Sequence, residues 1–423
     1  MTDSQPVKAS YNIILLVIVA SLGYFVDIYD LMIFSIVRLK SLQDIGITDA
    51  DIRVKGVYVI NMQMFGLLLG GILWGILGDK LGRIKVLFGS ILVYSLANFA
   101  NGMVHDIDTY AIIRFIGGVG LAGELGAGIT LVSEALSKEK RGYGTMIIAF
   151  VGVLGAVAAG MAGRYDWRIA YYIGGGLGMV LLLLRLGTFE SGLYKNVAKT
   201  GISKGNIFIL FTSRKRFLKY ISCILIGAPL WYIIGVILTL SPEFTKALGA
   251  KETISAGTGI MYSYFGGAIG NVLAAILAQA TRSRRLTMLV FLVLDAIAVS
   301  IFLGTIGITN NQFIWLCLLI GITGGYFATL VTIAAEQFGT NIRATVTTTV
   351  PNFIRGTLIP INLVFSLLVP HYGMIKSGYI LLFTLTGIAI FSLSQLKESF
   401  GKDLNYVELN EADKSPIAAT KAV

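Results

Sequence analysis

The stretch GDKLGRIKVL, residues 78–87, sets one acid, Asp79, beside three basic residues between two long apolar runs. These runs cover about residues 56–77 and 85–104, and each has the length of about 20 residues that a helix needs to cross a bilayer. Short loops rich in lysine and arginine are typical of the cytoplasmic side of membrane proteins. The stretch therefore predicts two membrane-spanning helices joined by a cytoplasmic loop.

The composition extends this prediction to the whole chain. Of its 423 residues, 55% are hydrophobic and 13% are charged, with a mean hydropathy of +0.79, whereas a soluble domain carries about 25% charged residues. The net charge of +11 lies mainly in the loops, so we expect the lipid bilayer as a partner and no nucleic acid. With two cysteines and two histidines, we expect no metal site and no cofactor.

Twelve apolar runs have spanning length, and they are numbered here as spans 1 to 12. In chain order the spans lie at about 11–37, 56–77, 85–104, 108–136, 142–163, 169–189, 217–240, 256–280, 285–306, 311–337, 343–369 and 376–396. The intervals after spans 2, 4, 6 and 8 are basic, and the alternate intervals hold fewer basic residues or balance them with acids. Both termini are therefore expected on the cytoplasmic side of an integral, multi-pass membrane protein.

The two halves of the chain carry similar charged motifs at equivalent places. SEALSKEKRG places Glu134 seven residues before Arg141 at the end of span 4, and AEQFGTNIRA places Glu336 seven residues before Arg343 at the end of span 10. Duplicated six-helix halves with a substrate site between them are a known transporter design. We expect an N-terminal six-helix bundle at 1–189, a cytoplasmic linker at 190–216, a C-terminal six-helix bundle at 217–396 and a cytoplasmic tail at 397–423.

Four stretches of the sequence resemble motifs of the major facilitator superfamily. GDKLGRIKVL (78–87) resembles its loop between helices 2 and 3, and RFIGGVGLAGELGAGITLVSE (114–134) resembles its helix 4 motif. IYDLMIF (28–34) resembles helix 1 of its sugar porters and phosphate:proton symporters, and AGE (122–124) is similar to a motif of its metabolite:proton symporters. The resemblance implies an all-α membrane protein with twelve helices in two pseudo-symmetric six-helix bundles. It also implies a monomeric transporter, not an enzyme, driven by the proton gradient in a bacterial inner membrane.

Four charged residues inside the spans are candidates for proton coupling, since a charge at that depth is costly and functional by default. The resemblance implies that Asp30 in span 1 accepts the proton and that Arg114 in span 4 is its partner; a static ion pair is the alternative. Glu124 in span 4 is a second candidate, for proton or substrate. Asp27 lies one turn before Asp30 on nearly the same face, and the sequence leaves its role open.

Span 11 carries a candidate substrate site in PNFIRG (351–356). Arg355 within that span needs an acid partner or an anionic substrate, and Asn352 lies one turn before it. Other polar and aromatic residues are expected to line the cavity, although tyrosine and tryptophan also populate the membrane interface. These candidates are Glu124, Gln63, Trp231, Tyr232, Tyr262, Tyr264, Asn271 and Tyr326. Asp295 in span 9 is expected to have a structural partner.

Charged residues at the cytoplasmic ends of the spans form a further candidate set. The resemblance to sugar porters implies that they bridge helix ends in a gate that breaks during transport; a solvated role in setting topology is the alternative. The set consists of Asp79, Arg83, Glu134, Arg141, Glu190, Glu336, Arg343 and Glu398.

Together these residues favour proton-coupled uptake of a small polar metabolite. Arg114 and Arg355 favour a substrate with a carboxylate, such as an organic acid or an amino-acid-like zwitterion. One alternative is a proton-driven exporter of a drug, a cation or a metal-chelating metabolite, which would use Asp27 and Glu124. Another is a non-transporting membrane sensor on the same fold. The sequence lacks the glycine-lysine-serine/threonine nucleotide loop of ATP-driven transport.

Overall fold

The computed structural model describes residues 5–81, 83–124, 141–185, 210–252 and 254–401, and every regular element within them is helical. Spans 1 to 6 are the helices Gln5–Asp44, Ile52–Leu81, Arg83–Asn101, Ile107–Leu121, Arg141–Ala162 and Trp167–Leu184. Spans 7 to 12 are built from Arg214–Tyr232, Ile233–Leu238, Ala256–Thr281, Arg284–Gly304, Asn310–Thr323, Phe327–Glu336, Thr340–Gly356 and Leu358–Gln395, with a short helix Ser241–Ala247 after span 7.

These helices confirm the prediction of twelve spans in an all-α membrane protein. Eight continuous segments of the described residues are long and apolar enough to cross a membrane. The last of them, Thr345–Gln395, holds both span 11 and span 12, because Gly373 breaks it with a φ of 73°, which glycine adopts without strain. The eight segments thus contain spans 1, 2 and 6 to 12, and the helices given above occupy spans 3, 4 and 5.

Two spans of the second half are interrupted beside the cavity described below. In span 7, Pro229 lacks the N–H that an α-helix needs, and the chain continues as a π-helix four residues later. In span 10, Gly324 and Gly325 separate its two helices. A Cβ at Gly325 would collide with the backbone of Gly270 in span 8, so the glycine lets these two spans approach closely.

The two halves are packed through equivalent pairs of helices. Span 2 packs on span 4 in the first half, and span 8 packs on span 10 in the second. Gly118 and Gly321 permit these contacts, because a Cβ at either would collide with the carbonyl oxygen of Gln63 or Ser263, respectively. Between the halves, span 2 contacts span 11 and span 5 contacts span 8.

Spans 1 and 7 are the most enclosed of the apolar segments. The buried share of their apolar stretches is 78% and 83%, against 33% to 56% in the other six segments. Those other segments turn large apolar side chains outward for the lipid, such as Leu73, Ile297 and Phe391. The charged residues of span 1 therefore lie in the middle of the molecule.

Candidate functional site

Arg114 of span 4 binds Asp30 of span 1 inside the first half. Its Nη1 donates to Asp30 Oδ1 at 3.0 Å, and its Nη2 donates to the backbone oxygen of Asp30 at 2.9 Å. Both side chains are fully buried. The guanidinium also lies over the ring of Tyr171, 5.6 Å from its centroid. The structure thus brings together the two residues that the resemblance pairs, and their role in proton coupling stays a prediction.

Arg355 of span 11 binds Asp27 of span 1, so this ion pair joins the two halves. Arg355 Nη2 donates to Asp27 Oδ2 at 3.3 Å, and Nη1 donates to Asn352 Oδ1 at 3.4 Å. The guanidinium also lies 5.7 Å from the ring centroid of Trp231. Both ions are buried, with exposed fractions of 1% for the arginine and 0% for the aspartate. Of the two partners that the sequence leaves open for Arg355, an acid and an anionic substrate, the structure shows the acid.

Arg185 of span 6 pairs with Glu124 of span 4, and both side chains are buried. Arg185 Nη1 donates to Glu124 Oε2 at 3.1 Å, and Nη2 donates to Oε1. Gly23 of span 1 leaves room for this pair, because a Cβ there would collide with both partners. Arg185 is not among the residues predicted from the sequence, although a single arginine inside a predicted span is a signal that a buried counter-ion exists.

The three ion pairs lie along one face of span 1. Gly23, Asp27 and Asp30 are spaced by four and three residues, which places them one above the other on a helix. In the described part of the chain each of the three acids has one arginine partner, so these three pairs carry no net charge. Removing one partner of a buried pair costs about 3–5 kcal/mol, because the other charge stays buried without compensation. Any change in one pair therefore has large energetic consequences at this face.

A cavity opens beside this face of span 1. It holds about 740 Å³ of space between protein atoms, including its open end, and lies among spans 1, 5, 7, 8, 10 and 11. Most of its wall is aliphatic or aromatic, and Tyr24, Trp231 and Tyr264 contribute rings. Among the described residues that line it, Arg355 carries the only charge. An apolar cavity with one cation at its wall suits an anion with an apolar body.

Four of the predicted cavity residues line this cavity, namely Arg355, Trp231, Tyr264 and Asn271. Asn271 also connects two spans. Its amide nitrogen donates to the carbonyl oxygen of Gly267 at 2.9 Å, and its oxygen accepts from the backbone N–H of Ala328 at 3.2 Å. Asn271 thus ties span 8 to the point where span 10 resumes after its break.

Other predicted cavity residues face neighbouring helices instead. Gln63 donates to a carbonyl oxygen of span 1, and the hydroxyl of Tyr232 donates to a carbonyl oxygen of span 12 at 2.6 Å. Tyr326 packs edge-on against a phenylalanine ring of span 9. Asn352 donates to a carbonyl oxygen of span 4 at 3.0 Å. These four side chains do not line the described cavity, and neither do Tyr262 and the paired Glu124. The sequence does not show this, because an apolar run does not specify which face of its helix turns towards the cavity.

Asp295 of span 9 is buried outside the cavity wall, with an exposed fraction of 2%. Its Oδ1 accepts a hydrogen bond from the Thr323 hydroxyl at 3.0 Å. Asp295 is therefore bonded to span 10, which is a structural contact of the kind expected for it from the sequence.

An ion pair also joins the two halves on the side predicted to be outside. Arg38, near the end of span 1, donates through Nη2 to both carboxylate oxygens of Glu243 at 2.6 and 2.8 Å. The same nitrogen donates to the carbonyl oxygen of Thr239 at 3.2 Å. Arg38 is 1% exposed and Glu243 is 22% exposed. No motif in the sequence pairs Arg38 with an acid, so this outer contact is seen only in the structure.

On the predicted cytoplasmic side, the described members of the gate set connect helix ends of the second half. Glu336 accepts hydrogen bonds from Arg284 Nη2 at 3.5 Å and from Ser399 Oγ at 2.7 Å. Arg343 donates to the backbone oxygens of residues 335 and 338. These contacts join spans 9 to 12 to one another, so their breakage during transport stays a prediction.

Glu398 caps the start of span 9. The Ser283 hydroxyl and the backbone N–H groups of Arg284 and Arg285 donate to its carboxylate. Partial burial alone would raise the pKa of Glu398, but these hydrogen bonds lower it to about 2. Five members of the predicted gate set fall outside the described residues or side chains, namely Asp79, Arg83, Glu134, Arg141 and Glu190.

Comparison with known proteins identifies the family. The sequence matches the family model of the Major Facilitator Superfamily over residues 20–361. The chain belongs to this superfamily. It is similar to the niacin transporter of Acinetobacter baylyi, with 30% identity over 162 residues, but this match spans 37% of the chain and only 36% of that relative. It is also similar to the 3-(3-hydroxy-phenyl)propionate transporter of Escherichia coli, with 26% identity over 300 residues, 68% of this chain and 71% of the relative.

The fold has a close structural counterpart. The crystal structure of a D-xylose-proton symporter superimposes with a TM-score of 0.69 and 17% sequence identity, covering 93% of this chain and 100% of that one. At this level of identity the likeness establishes the fold. The chain is thus a multi-pass membrane protein of the Major Facilitator Superfamily.

Proposed function

We propose that this transporter takes up a small carboxylate with an aromatic or cyclic body together with a proton, by alternating access across a bacterial inner membrane. The observation that carries the proposal is the cavity, in which Arg355 is the charged lining residue and rings and aliphatic side chains form most of the wall. A guanidinium binds a carboxylate through parallel N–H donors. The apolar wall would bury the ring of such a substrate without leaving polar groups unpaired.

The names of two relatives support the same chemical class. One is named for niacin and the other for 3-(3-hydroxy-phenyl)propionate. Both compounds are carboxylic acids that carry a six-membered aromatic ring. A cavity that combines Trp231 and Tyr264 with Arg355 offers a place for each part of such a molecule. This substrate class, a carboxylate with a ring, is narrower than the small polar metabolite that the sequence favours.

Proton coupling at Asp30 and Arg114 is part of the proposal. The pair is fully buried and doubly hydrogen-bonded, so protonation of the carboxylate would weaken a contact between spans 1 and 4. Burial favours the protonated acid, while the guanidinium favours the carboxylate, so movement of one span relative to the other would bind or release a proton. Cation export is less well supported. An exporter would bind its cation through a buried acid, and Asp27, Asp30 and Glu124 each have an arginine partner already.

Uptake into proteoliposomes tests the proposal. We expect an acidic exterior to drive accumulation of radiolabelled nicotinate, benzoate or 3-(3-hydroxyphenyl)propionate above the level in protein-free liposomes. Nicotinamide and benzamide serve as matched controls, since each has the same ring with a neutral amide in place of the carboxylate. Absence of carboxylate accumulation, or equal transport of acid and amide, would contradict the proposal. An alternative cargo would be found by repeating the assay with a cationic solute such as choline.

A further inference from the structure

A row of buried polar side chains runs along one face of span 3. Tyr94, Ser95, Asn98 and Asn101 follow one another at helical spacing, so they lie on nearly the same face. Each is at most 1% exposed, whereas Leu96 on another face of the helix is 56% exposed. The row lies inside the first half, where span 3 packs against spans 4 and 6. We call these four residues the polar face of span 3.

The polar face has unused hydrogen-bonding capacity. The hydroxyls of Tyr94 and Ser95 and both amide atoms of Asn98 and Asn101 have no hydrogen-bond partner among the described residues. An unpaired buried polar group is costly, and in native proteins most such groups bond to protein atoms or to ordered water. In the described part of the first half, these are the buried neutral side chains that remain unpaired. They therefore indicate a small polar ligand that can both donate and accept hydrogen bonds.

The hydroxyls on the neighbouring spans already have partners. The Tyr110 and Tyr171 hydroxyl oxygens of spans 4 and 6 are 2.7 Å apart, and Tyr110 also donates to Ser41 Oγ at 3.3 Å. The Tyr29 hydroxyl of span 1 donates to the carbonyl oxygen of Ala170 at 2.8 Å. Because these hydroxyls bond to one another and to the backbone, they do not complete the hydrogen bonds of the polar face.

Span 6 leaves space beside the polar face. A Cβ at Gly178 would collide with Ser95 Oγ, and a Cβ at Gly174 would lie 3.1 Å from Asn98 Nδ2. Glycine at both positions therefore keeps span 6 from covering these polar atoms with a side chain. A buried water needs a polar site with room for it, and it typically makes about three hydrogen bonds to groups that are otherwise unpaired. The polar face has the chemistry of such a site.

The polar face leads from Asp30 towards the predicted outer side. Arg114 bonds Asp30 Oδ1 and leaves Oδ2 without a partner in the described structure. The Asn98 amide faces this carboxylate from span 3 without a regular hydrogen bond to it. Asn101 is the last residue of the span 3 helix and lies two positions before Met103, which is 63% exposed. From Asn98 to Asn101 the helix rises about 4.5 Å, and waters spaced by about 2.8 Å can bridge that distance.

We propose that the polar face of span 3 binds a chain of water molecules that conducts protons between the outer side of the membrane and Asp30. This route differs from the path of the substrate, since Asp30 is not among the described residues that line the cavity. Each water accepts one proton and passes another on, so one proton enters beside Asn101, one arrives at Asp30 Oδ2 and no water is consumed. The polar side chains position the waters and keep their own protons. The water site stands on the unpaired groups alone, whereas its role as a proton route rests on the proposed function.

Radiolytic footprinting of the purified wild-type protein tests the water site without any substrate. Brief X-ray exposure forms hydroxyl radicals from bound water, and mass spectrometry identifies the side chains that these radicals modify. Tyr94 is the probe and Tyr232 is the matched control. Both are fully buried, but the Tyr232 hydroxyl has a partner, a carbonyl oxygen of span 12, and the Tyr94 hydroxyl has none in the described structure. We expect Tyr94 to be modified several-fold faster than Tyr232, and equal modification of the two tyrosines would overturn the inference.

Variants of Asn101 test the proton route at its outer end. Asn101→Leu has a similar size but offers no hydrogen bond, so nicotinate uptake driven by an acidic exterior should slow several-fold. Exchange of nicotinate at equal pH on both sides should keep the wild-type rate, because exchange needs no net proton movement. Wild-type uptake in Asn101→Leu, or an equal loss of uptake and exchange, would overturn the route. If that variant does not fold, Asn101→Val provides a second apolar side chain with the same expected outcomes.

Two further variants are controls for this measurement. Asn101→Ser should restore most of the proton-driven uptake, since a shorter polar side chain can still bind water. Ser377→Ala removes a buried, unpaired hydroxyl from the second half, away from Asp30, and it should keep the wild-type uptake.

A failure of the proposed function is distinguishable from a failure of this inference. If the wild-type protein shows no proton-driven uptake of nicotinate, benzoate or 3-(3-hydroxyphenyl)propionate, the proposed function fails and the proton route fails with it, while the footprinting of Tyr94 still decides the water site. If uptake of one of them is proton-driven, the proposed function stands, and the comparison of Asn101→Leu with wild type decides the route.

Discussion

Arg38→Gln should release the closure of the transporter on its predicted outer side. Arg38 Nη2 bonds both carboxylate oxygens of Glu243 and the carbonyl oxygen of Thr239, so one side chain from the first half holds two groups of the second. A hydrogen bond to a charged group contributes about 1.5–3 kcal/mol, and a neutral one about 0.5–1.5 kcal/mol. With Glu243 partly exposed, the closed arrangement should lose about 2–4 kcal/mol, which corresponds to a shift of about 30- to 1,000-fold in the closed-to-open ratio.

Electron–electron distance measurements between spin labels report this shift. The buried cysteines Cys223 and Cys317 are first replaced by alanine, and labels are attached at the exposed positions Gln43 and Lys246, one on each half. Wild type should show one short distance, and Arg38→Gln should add a longer population.

Lys40→Gln is the matched control for this experiment. It also removes a positive charge near the end of span 1, but Lys40 bonds the carbonyl oxygen of Gly163 within the first half. This variant should therefore keep the wild-type distance. An unchanged distribution in Arg38→Gln, or the same change in both variants, would refute the assignment of Arg38 and Glu243 as an outer closure.

Three further variants test a buried ion pair, the packing of two spans and a helix cap. Arg185→Gln should lower the free energy of unfolding by about 3–5 kcal/mol, because Glu124 stays buried without its counter-ion. Adding Glu124→Gln should restore part of the lost stability, and equal stability of the single and double variants would contradict this. Gly321→Val should destabilise the protein by at least about 1–3 kcal/mol in thermal unfolding, because its Cβ would collide with a carbonyl oxygen of span 8. Gly387→Val is the control, since its Cβ meets no neighbouring atom, and it should be close to neutral in the same measurement. Glu398→Gln should be less stable than wild type near pH 7, and the difference in stability should shrink as the pH falls from about 4.5 towards 2. The reason is that the folded-state pKa of Glu398, about 2, lies below the unfolded value, so protonation of the carboxylate removes its stabilising effect. A stability difference that does not change with pH would argue against this role of Glu398.

The fold was largely predictable from the sequence, because membrane spans have a strong one-dimensional signal. Length and hydropathy identified twelve spans, and the basic loop at 78–87 suggested the family that the comparison confirms. The interruptions were less visible. Pro229 and the glycines at 324 and 325 lie within apolar runs, and only the three-dimensional contacts show that they break spans 7 and 10 beside the cavity.

The site was predictable only where a motif supplies both partners. The resemblance pairs Asp30 with Arg114, and the structure places them in contact. The partners of Asp27 and Glu124 come from spans 11 and 6, and no local pattern connects residues 328 positions apart such as Asp27 and Arg355. Tyr232 bonds to span 12 and does not line the cavity. The sequence could not show this, because hydropathy indicates that a helix is buried but not which of its faces meets the substrate.

The central claim is that a ring carboxylate and a proton cross the membrane together, and substrate-driven proton movement tests it most directly. Proteoliposomes that enclose a pH indicator receive an inward gradient of nicotinate with no imposed pH gradient and with the membrane potential clamped. The account predicts acidification of the lumen that saturates with nicotinate, exceeds that of protein-free liposomes and does not occur with nicotinamide. Nicotinate entry without acidification, or equal acidification by nicotinamide, would contradict it.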